Sequence, residues 1–318
     1  MKEINFVKNT TTSSISGYVL YLHTTQTSKL MLCKLTFRTL FLLLFLPVLS
    51  FAQSTDSLRF ARADRTKNEF AKHVSWQTVS IDSFFGAKQH INVLSFRNKS
   101  RRLRIAFASA GDSLKKTSWF GQKHQAIAAV NGTFFDMKQG GSVDMIRIDG
   151  QTLDTTRLDK NQARAEHRQA AIVINRNKLG IVYGGTSPRW DQERSEPNVM
   201  VTGPLLLLNG QPHPLLKNAF NDNRHPRTCA CVTTDRRVIL LTADGRHANA
   251  AGLSLPELTK VMQWLGCRDA INLDGGGSTT IWLAGQGENG VVNFPSDGKN
   301  WVRTVERPVS NVLLLKRK

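Results

Sequence analysis

Ile271-Asn272-Leu273-Asp274-Gly275-Gly276-Gly277-Ser278-Thr279-Thr280 takes a short apolar run straight into three consecutive glycines. A run of this length, closed by glycine, reads as a buried strand. The glycines let the backbone adopt positive φ and let a ligand approach the main chain closely. Successive N–H groups in such a turn can line an anion nest, and Ser278 and Thr279 add hydroxyl donors. Asp274, at the strand end, is placed to bind a sugar hydroxyl or a metal, or to act as acid or base. The loop lacks the Gly-Lys-Ser/Thr ending of a P-loop. No helix pattern follows it, so it is not a dinucleotide fingerprint.

Upstream of this strand one helix is clear. Ser254 is an N-cap with Glu257 three residues later, a capping box. Pro256 is tolerated in the first turn, and Leu258, Val261, Met262 and Leu265 recur at helical spacing before Gly266 ends the helix. Most other segments read as strands: Ile91–Phe96, Leu103–Ser109, Ala126–Val130, Val199–Val201, Leu205–Leu208, Thr279–Leu283 and Val309–Leu315. Two pairs read as hairpins, 170–175 with 179–183 and 228–233 with 238–242. With one clear helix and two or three more, the expectation is an α+β single domain. Its core is mixed and mostly β, built on a mixed sheet, with a few flanking helices.

Composition sets the limits. The chain has 318 residues, of which 40% are hydrophobic and 21% charged, values that exclude wholesale disorder, collagen and coiled coil. Lys plus Arg outnumber Asp plus Glu by 43 to 24, a net charge of +19 that points to anionic surroundings or ligands and says nothing of fold. Residues 40–49 are apolar, preceded by Lys34 and Arg38 and followed by Ser50-Phe51-Ala52, which reads as a signal peptide over residues 1–52. Met31 would start a signal peptide of ordinary length. Residues 53–89 then read as a polar lead-in and 90–318 as the functional domain. Export to the periplasm or outside the cell follows, with no lipid or membrane anchor left after cleavage. No compact basic run interleaved with aromatics argues for a nucleic-acid partner. The charge suits phosphate-bearing glycans or envelope polymers, or a merely soluble basic surface.

Beyond the leader, the cysteines are Cys229, Cys231 and Cys267. The first two are two apart in a strand and share a face, so they cannot easily bridge each other. A bridge from either to Cys267 is open, but three buried thiols is the favoured reading. The cysteines lack partner histidines at zinc spacing, and neither a metal nor a cofactor is expected.

Other polar groups gather at strand ends. Asn131-Gly132-Thr133-Phe134-Phe135 follows an apolar strand, with Asn131 able to bind a sugar or phosphate oxygen and the two Phe side chains assigned to the core. His225-Pro226-Arg227-Thr228 opens one strand of the second hairpin, and Arg227 offers a planar fork for phosphate. Thr242-Ala243-Asp244-Gly245-Arg246 closes the other strand, so the hairpin brings Asp244 and Arg246 to the edge where Arg227 starts. His225 and His247 can approach the same edge. Asp136, Asp144 and Asp149 supply further carboxylates. Serine-hydrolase and zinc-protease motifs are absent.

These segments, in order, are Asn131-Gly-Thr-Phe-Phe135, Thr202-Gly-Pro204, Pro226-Arg-Thr228, Ala243-Asp-Gly-Arg246, Gly252-Leu-Ser254, Asn272 to Thr279, Pro295-Ser-Asp297 and Arg307-Pro-Val-Ser-Asn311. The set resembles the phosphodiester glycosidase family over about residues 90–316. The resemblance implies hydrolysis of a sugar-1-phosphodiester, of the N-acetylglucosamine-1-phosphodiester kind, to free sugar and phosphomonoester. It implies Asp274 as the first catalytic carboxylate and Asp244 as the second. Asn131, Arg227, Thr228, Arg246, Gly275, Gly276, Gly277 and Ser278 would hold sugar and phosphate. Cys231 stands where the family has glycine, and Thr133 stands where it has a second glycine, changes that could alter sugar specificity or reduce activity. Two other functions compete: a phosphoglycan-binding protein without turnover, and a metal-dependent phosphodiesterase cutting on the phosphate side.

Overall fold

The computed structural model describes residues 55–157 and 164–318. The leader expected over 1–52, with its alternative start at Met31, lies outside the described residues. The elements run α1 (Thr55–Arg62), β1 (Arg65–Ala71), β2 (Val74–Phe84), β3 (Ala87–Arg97), β4 (Leu103–Ser109), α2 (Thr117–Lys123), β5 (Ala126–Asn131), β6 (Ile146–Ile148) and β7 (Gln151–Asp154). A 3₁₀ turn (Glu166–Arg168) precedes β8 (Ala170–Asn175), β9 (Lys178–Tyr183), β10 (Asn198–Thr202), β11 (Leu205–Leu208), β12 (Gln211–Pro212) and α3 (Ala219–Asp222). The chain then continues through β13 (Arg227–Thr233), β14 (Arg237–Ala243), α4 (Leu255–Trp264), β15 (Cys267–Asn272), β16 (Ile281–Leu283) and β17 (Asn311–Arg317).

The fold is α+β, and the described residues form one compact unit. The mixed sheet expected from sequence is corrected in one respect. Every strand pairing among the described residues is antiparallel, and the strands divide into three sheets. The largest has the order β1-β2-β3-β14-β13-β15-β11-β12, the second β7-β6-β10-β8-β9, and the third β16-β5-β17-β4. Both predicted hairpins form, as β8–β9 and β13–β14.

Alternation along β14 explains why the sheets close on one another. Val238 and Leu240 point to a core shared by the three sheets, where Ile105 and Leu313 of the third and Ile172 and Met200 of the second meet them. Ile239, Leu241 and Ala243 point the other way, against Leu258, Val261 and Met262 of α4. A strand buried on both faces reads as a continuous apolar run, which is why β14 shows no polar alternation. The capping box forms as the sequence predicts: the Ser254 hydroxyl accepts from the Glu257 N–H, and the Glu257 carboxylate accepts from the Ser254 N–H at 2.9 Å.

Two expectations change. The segment read as a polar lead-in, 53–89, carries α1, β1 and β2, and β2 pairs with β3 along most of its length. Phe60 of α1 stacks on Phe84 at 5.6 Å and contacts Trp264 of α4, so this segment covers one face of the large sheet. Its strands contain many polar residues because their outer edges face solvent. The favoured reading of three buried thiols is also corrected: Cys231 and Cys267 form a disulfide, and Cys229 alone is a free, buried thiol. The β13–β15 pairing puts Cys231 beside Ala270 and the start of β15, a neighbourhood that sequence spacing does not reveal.

Candidate active site

The site forms where strand ends from two sheets converge. Register fixes the first part. Arg227 pairs with Ala243 and Cys229 with Asn272, so the residues just beyond those strands, Asp244 and Asp274, flank the start of β13. The Leu273 N–H donates to the Thr228 carbonyl at 2.9 Å and the Gly276 N–H to the Pro226 carbonyl at 2.9 Å, continuing the ladder into the glycine loop.

Asn131, at the end of β5 in the third sheet, ties the two sheets together. Its Oδ1 accepts from the Thr228 hydroxyl (2.7 Å) and the Thr280 N–H (3.1 Å), and its Nδ2 donates to the Asp274 carbonyl at 2.7 Å. Asn131 and Thr228 are fully enclosed. The structure therefore gives them a positioning task, holding Asp274 and the loop, where the sequence suggested direct contact with sugar or phosphate.

The loop closes into a single 3₁₀ turn, Gly276–Ser278. This corrects the expected anion nest. The Gly275 N–H donates to its neighbour's carboxylate, Asp274 Oδ1 (2.9 Å), and the Ser278 and Thr279 N–H groups donate to the Gly275 and Gly276 carbonyls. Within the loop, Gly277 has the one N–H left without an acceptor among the described residues. Gly276 has φ +60°, and the Arg246 guanidinium lies 3.1 Å from where its Cβ would be. A side chain at Gly277 would collide with Arg307 and Asp297, which form a two-pronged ion pair at 2.8 and 2.9 Å. The glycines thus let two arginines press against the loop.

The two candidate carboxylates differ. Asp274 is half-buried; burial raises its pKa to about 6, against the opposing pull of the Ser278 hydroxyl, the Gly275 N–H and the Arg307 charge. Asp244 is fully buried, with Oδ1 accepting from Asn293 Nδ2 (2.9 Å) and Oδ2 from the Phe294 N–H (3.0 Å). Its burial raises its pKa to about 7. Asn293 also donates to the Thr279 carbonyl, so Asp244 secures the far end of the glycine loop. Asp274 is partly exposed; Asp244 is enclosed.

Arg227 is enclosed too, at 1% exposure. Its Nε donates to the Leu253 carbonyl (3.0 Å) and its Nη2 to the Phe220 and Asn223 carbonyls, leaving a buried cation with no carboxylate partner among the described residues. Burial and the nearby Arg246 charge lower its pKa to about 10. Exposed Arg246 approaches the His225 ring at 3.5 Å, and burial with the Arg227 and Arg246 charges lowers the His225 pKa, so the positive surround of the loop comes from Arg227, Arg246 and Arg307. Thr279, Thr280 and Thr242 keep buried hydroxyls with no hydrogen-bond partner.

The remaining candidates separate. His247 stacks on Trp301, which stacks on Phe294 beside Asp244. Phe135 packs into an apolar cluster with Phe120 and Trp282, while Phe134 meets His167 and Phe220. Asp136 pairs with Arg157 and Asp149 with Arg104, both away from the loop. Asp144 is buried against Arg168 at 2.8 Å, with His167 at 3.9 Å and burial raising its pKa to about 7. Sequence reading gave no role to Asn293, Asn311 or the Arg307–Asp297 pair, although Asp297, Arg307 and Asn311 stand in the quoted motifs. Thr133 replaces a glycine and is accommodated: its hydroxyl donates to the Val201 carbonyl at 2.7 Å and its N–H to Asn311 Oδ1 at 2.8 Å. Among the described residues no three His, Cys, Asp or Glu side chains gather to hold a metal ion.

A family model for phosphodiester glycosidases matches residues 124–316, the span holding Asn131, Arg227, Asp244, Arg246, the glycine loop with Asp274, and Arg307. The chain belongs to the phosphodiester glycosidase family. The catalytic domain of zebrafish N-acetylglucosamine-1-phosphodiester α-N-acetylglucosaminidase, auto-inhibited by its pro-peptide, superposes with a TM-score of 0.60 at 20% identity, over 79% of this chain and 86% of that one. A hypothetical protein from Synechocystis superposes with a TM-score of 0.57 at 15% identity, over 80% of this chain and 64% of its own. At these identities the likeness is one of fold. An uncharacterized SPbeta prophage-derived protein of Bacillus subtilis, YomE, is 29% identical over 92 residues, 29% of this chain and 13% of its own length. In this family member, the Cys231 departure from the family pattern is a disulfide cysteine.

Proposed function

We propose that this family member hydrolyses a sugar-1-phosphodiester, of the N-acetylglucosamine-1-phosphodiester kind, at the glycosidic bond. The observation that carries the reading is Asp274: a half-buried carboxylate with a raised pKa, beside a loop on which the guanidinium groups of Arg246 and Arg307 press. Water attacks the anomeric carbon and gives its proton to Asp274 as the C1–O bond breaks. The phosphomonoester leaves with that bond's electron pair. Because phosphate is already a good leaving group, stabilising its charge matters more than protonating it, and preorganised cations do so without reorganising. Asp274 ionised also faces the oxocarbenium-like centre. Arg227 raises the positive potential from behind. Free sugar and phosphomonoester are the products.

Export is part of the reading. The apolar segment at 40–49 and the Cys231–Cys267 disulfide agree, since disulfides persist in oxidising compartments. The substrate is then a phosphate-bearing glycan or envelope polymer. The deciding experiment supplies an N-acetylglucosamine-1-phosphodiester and identifies products by mass, with Asp274→Asn as control. Free sugar that disappears in the variant supports the reading. Sugar-1-phosphate would move the cut to the phosphorus side, and tight binding without product would make this a phosphoglycan-binding protein.

A further inference from the structure

β14 links two charged ends of the large sheet. One end leads from Ala243 into Asp244 and the site; the other begins at Arg237, directly opposite Arg97 of β3. Like charges facing each other across two strands are destabilising. Here they recur: a groove of about 680 Å³ at this end is lined by His73, Arg97, Lys99, Arg101, Arg102 and Arg237, and by no acidic residue. Among the described residues none of these arginine and lysine side chains has a carboxylate within ion-pair distance. Arg102 approaches the His73 ring at 3.4 Å, and the Arg237 Nε is held by the Ser95 hydroxyl at 2.7 Å. By contrast, half-buried Arg307 pairs with Asp297 and half-buried Arg224 with Glu257. A concave surface of unpaired cations lowers its own repulsion by collecting phosphates.

We propose that this groove is a second, non-catalytic binding site for the phosphodiester backbone of a polymeric glycan, the substrate class proposed above, on which the inference rests. The seven residues of β14 put it about 20 Å from the catalytic end at roughly 3.4 Å per residue. A single sugar phosphodiester cannot occupy both places. A chain of repeats can, and tethering at the groove raises the local concentration of its neighbouring linkages at Asp274. Phosphate-directed binding of this kind carries little sequence or sugar specificity, so the groove sets polymer affinity and leaves the glycine loop to choose the bond.

The test uses a poly(N-acetylglucosamine-1-phosphate) chain, the monomeric N-acetylglucosamine-1-phosphodiester, an oligonucleotide and phosphatidylglycerol vesicles as probes. The protein is expected to bind the polymer with an affinity that falls steeply with salt. In R97Q/K99Q/R101Q/R102Q the polymer Kd should rise about tenfold or more with a shallower salt slope. KM for the polymer should rise without a change in kcat, and kcat/KM for the monomer should stay at the wild-type value. R97K/R101K/R102K should bind as the wild type does. R97Q/R102Q gives the same comparison with less charge removed should the quadruple variant melt early. Unchanged polymer affinity in the Gln variants overturns the inference, as does tighter binding to oligonucleotide or vesicle than to polymer at equal charge. Monomer turnover with salt-insensitive polymer binding sinks this inference alone. Charge-dependent polymer binding without turnover leaves the groove standing and removes the catalytic reading.

Discussion

The two ends of β13, β14 and β15 solve the problem of holding polar groups in opposite ways. At the proposed catalytic end, Arg227, Asp244 and Asn131 are sealed in, and each is met by two or more partners. At the other end the backbone is stapled by the Cys231–Cys267 disulfide and the hairpin turn, while the cations of the groove stand in solvent without acids. Function at the first end depends on over-determined geometry, because one misplaced dipole changes a barrier. At the second it depends on charge alone, which tolerates imprecise side chains. Variants at the first end should therefore alter kcat with little change in stability when the replacement is isosteric, and those at the second the reverse.

The largest expected effect is at Asp274. Asp274→Asn keeps shape but removes the charge, and kcat should fall by about 10²- to 10⁴-fold with the melting temperature within about 2 °C of the wild type. A comparable loss of Tm would put Asp274 among the structural groups and erase the contrast. Because burial lifts its pKa to about 6, and the ionised form is the active one, kcat/KM should climb tenfold per pH unit up to about pH 6 and then level. A flat profile from pH 4 to 8 would assign the role elsewhere.

Next comes the staple. Removing both cysteines in C231A/C267A should cost about 2–4 kcal/mol by urea titration and leave kcat unchanged in the surviving folded protein. A kcat loss at permissive temperature would mean that the two ends are mechanically coupled.

Asp244→Ala should cost about 1–3 kcal/mol, because the buried Asn293 and Phe294 donors lose their acceptor. Its pH dependence carries a definite sign. The native pKa, about 7, exceeds that of an unfolded carboxylate, so the folded state holds a proton that the unfolded chain releases. That contribution is complete below about pH 4 and disappears as pH rises through about 7. The penalty measured for Asp244→Ala should shrink between those values; a penalty that grows would show the carboxylate to be charged in the native state.

The smallest effect lies away from both ends. Ser254→Ala removes the α4 cap and should cost about 1 kcal/mol without touching activity, a baseline for stability change alone.

Much of the local structure was legible. The α4 capping box, both hairpins and the strand leading to Asp274 follow from patterns within a dozen residues, and the structure reproduces them. So does the arrival of Arg227, Asp244 and Arg246 at one edge, since a hairpin fixes which ends meet. The 53–89 segment was misread because its apolar side chains meet partners that come from distant elements, Phe84 from α1 and α4 and Val74 from the core shared by the three sheets, and β1, an edge strand, shows little pattern of its own. The anion nest was misread because three glycines permit many turns, and Pro226, Arg246 and Arg307 select one.

The sequence by itself determined the central strands, the α4 helix, the charge and the family, because periodicity, capping and motif order act over short spans. Tertiary structure alone decided that Asp274 stays open while Asp244 is sealed, that Asn131 positions the loop from a different sheet, and that Cys231 meets Cys267. Each of those outcomes depends on which strand lies beside which, and on burial contributed by residues 50 or more positions away, as Phe294 is from Asp244. Desolvation and hydrogen bonding, which set the chemistry of a carboxylate, exist only once those neighbours have assembled.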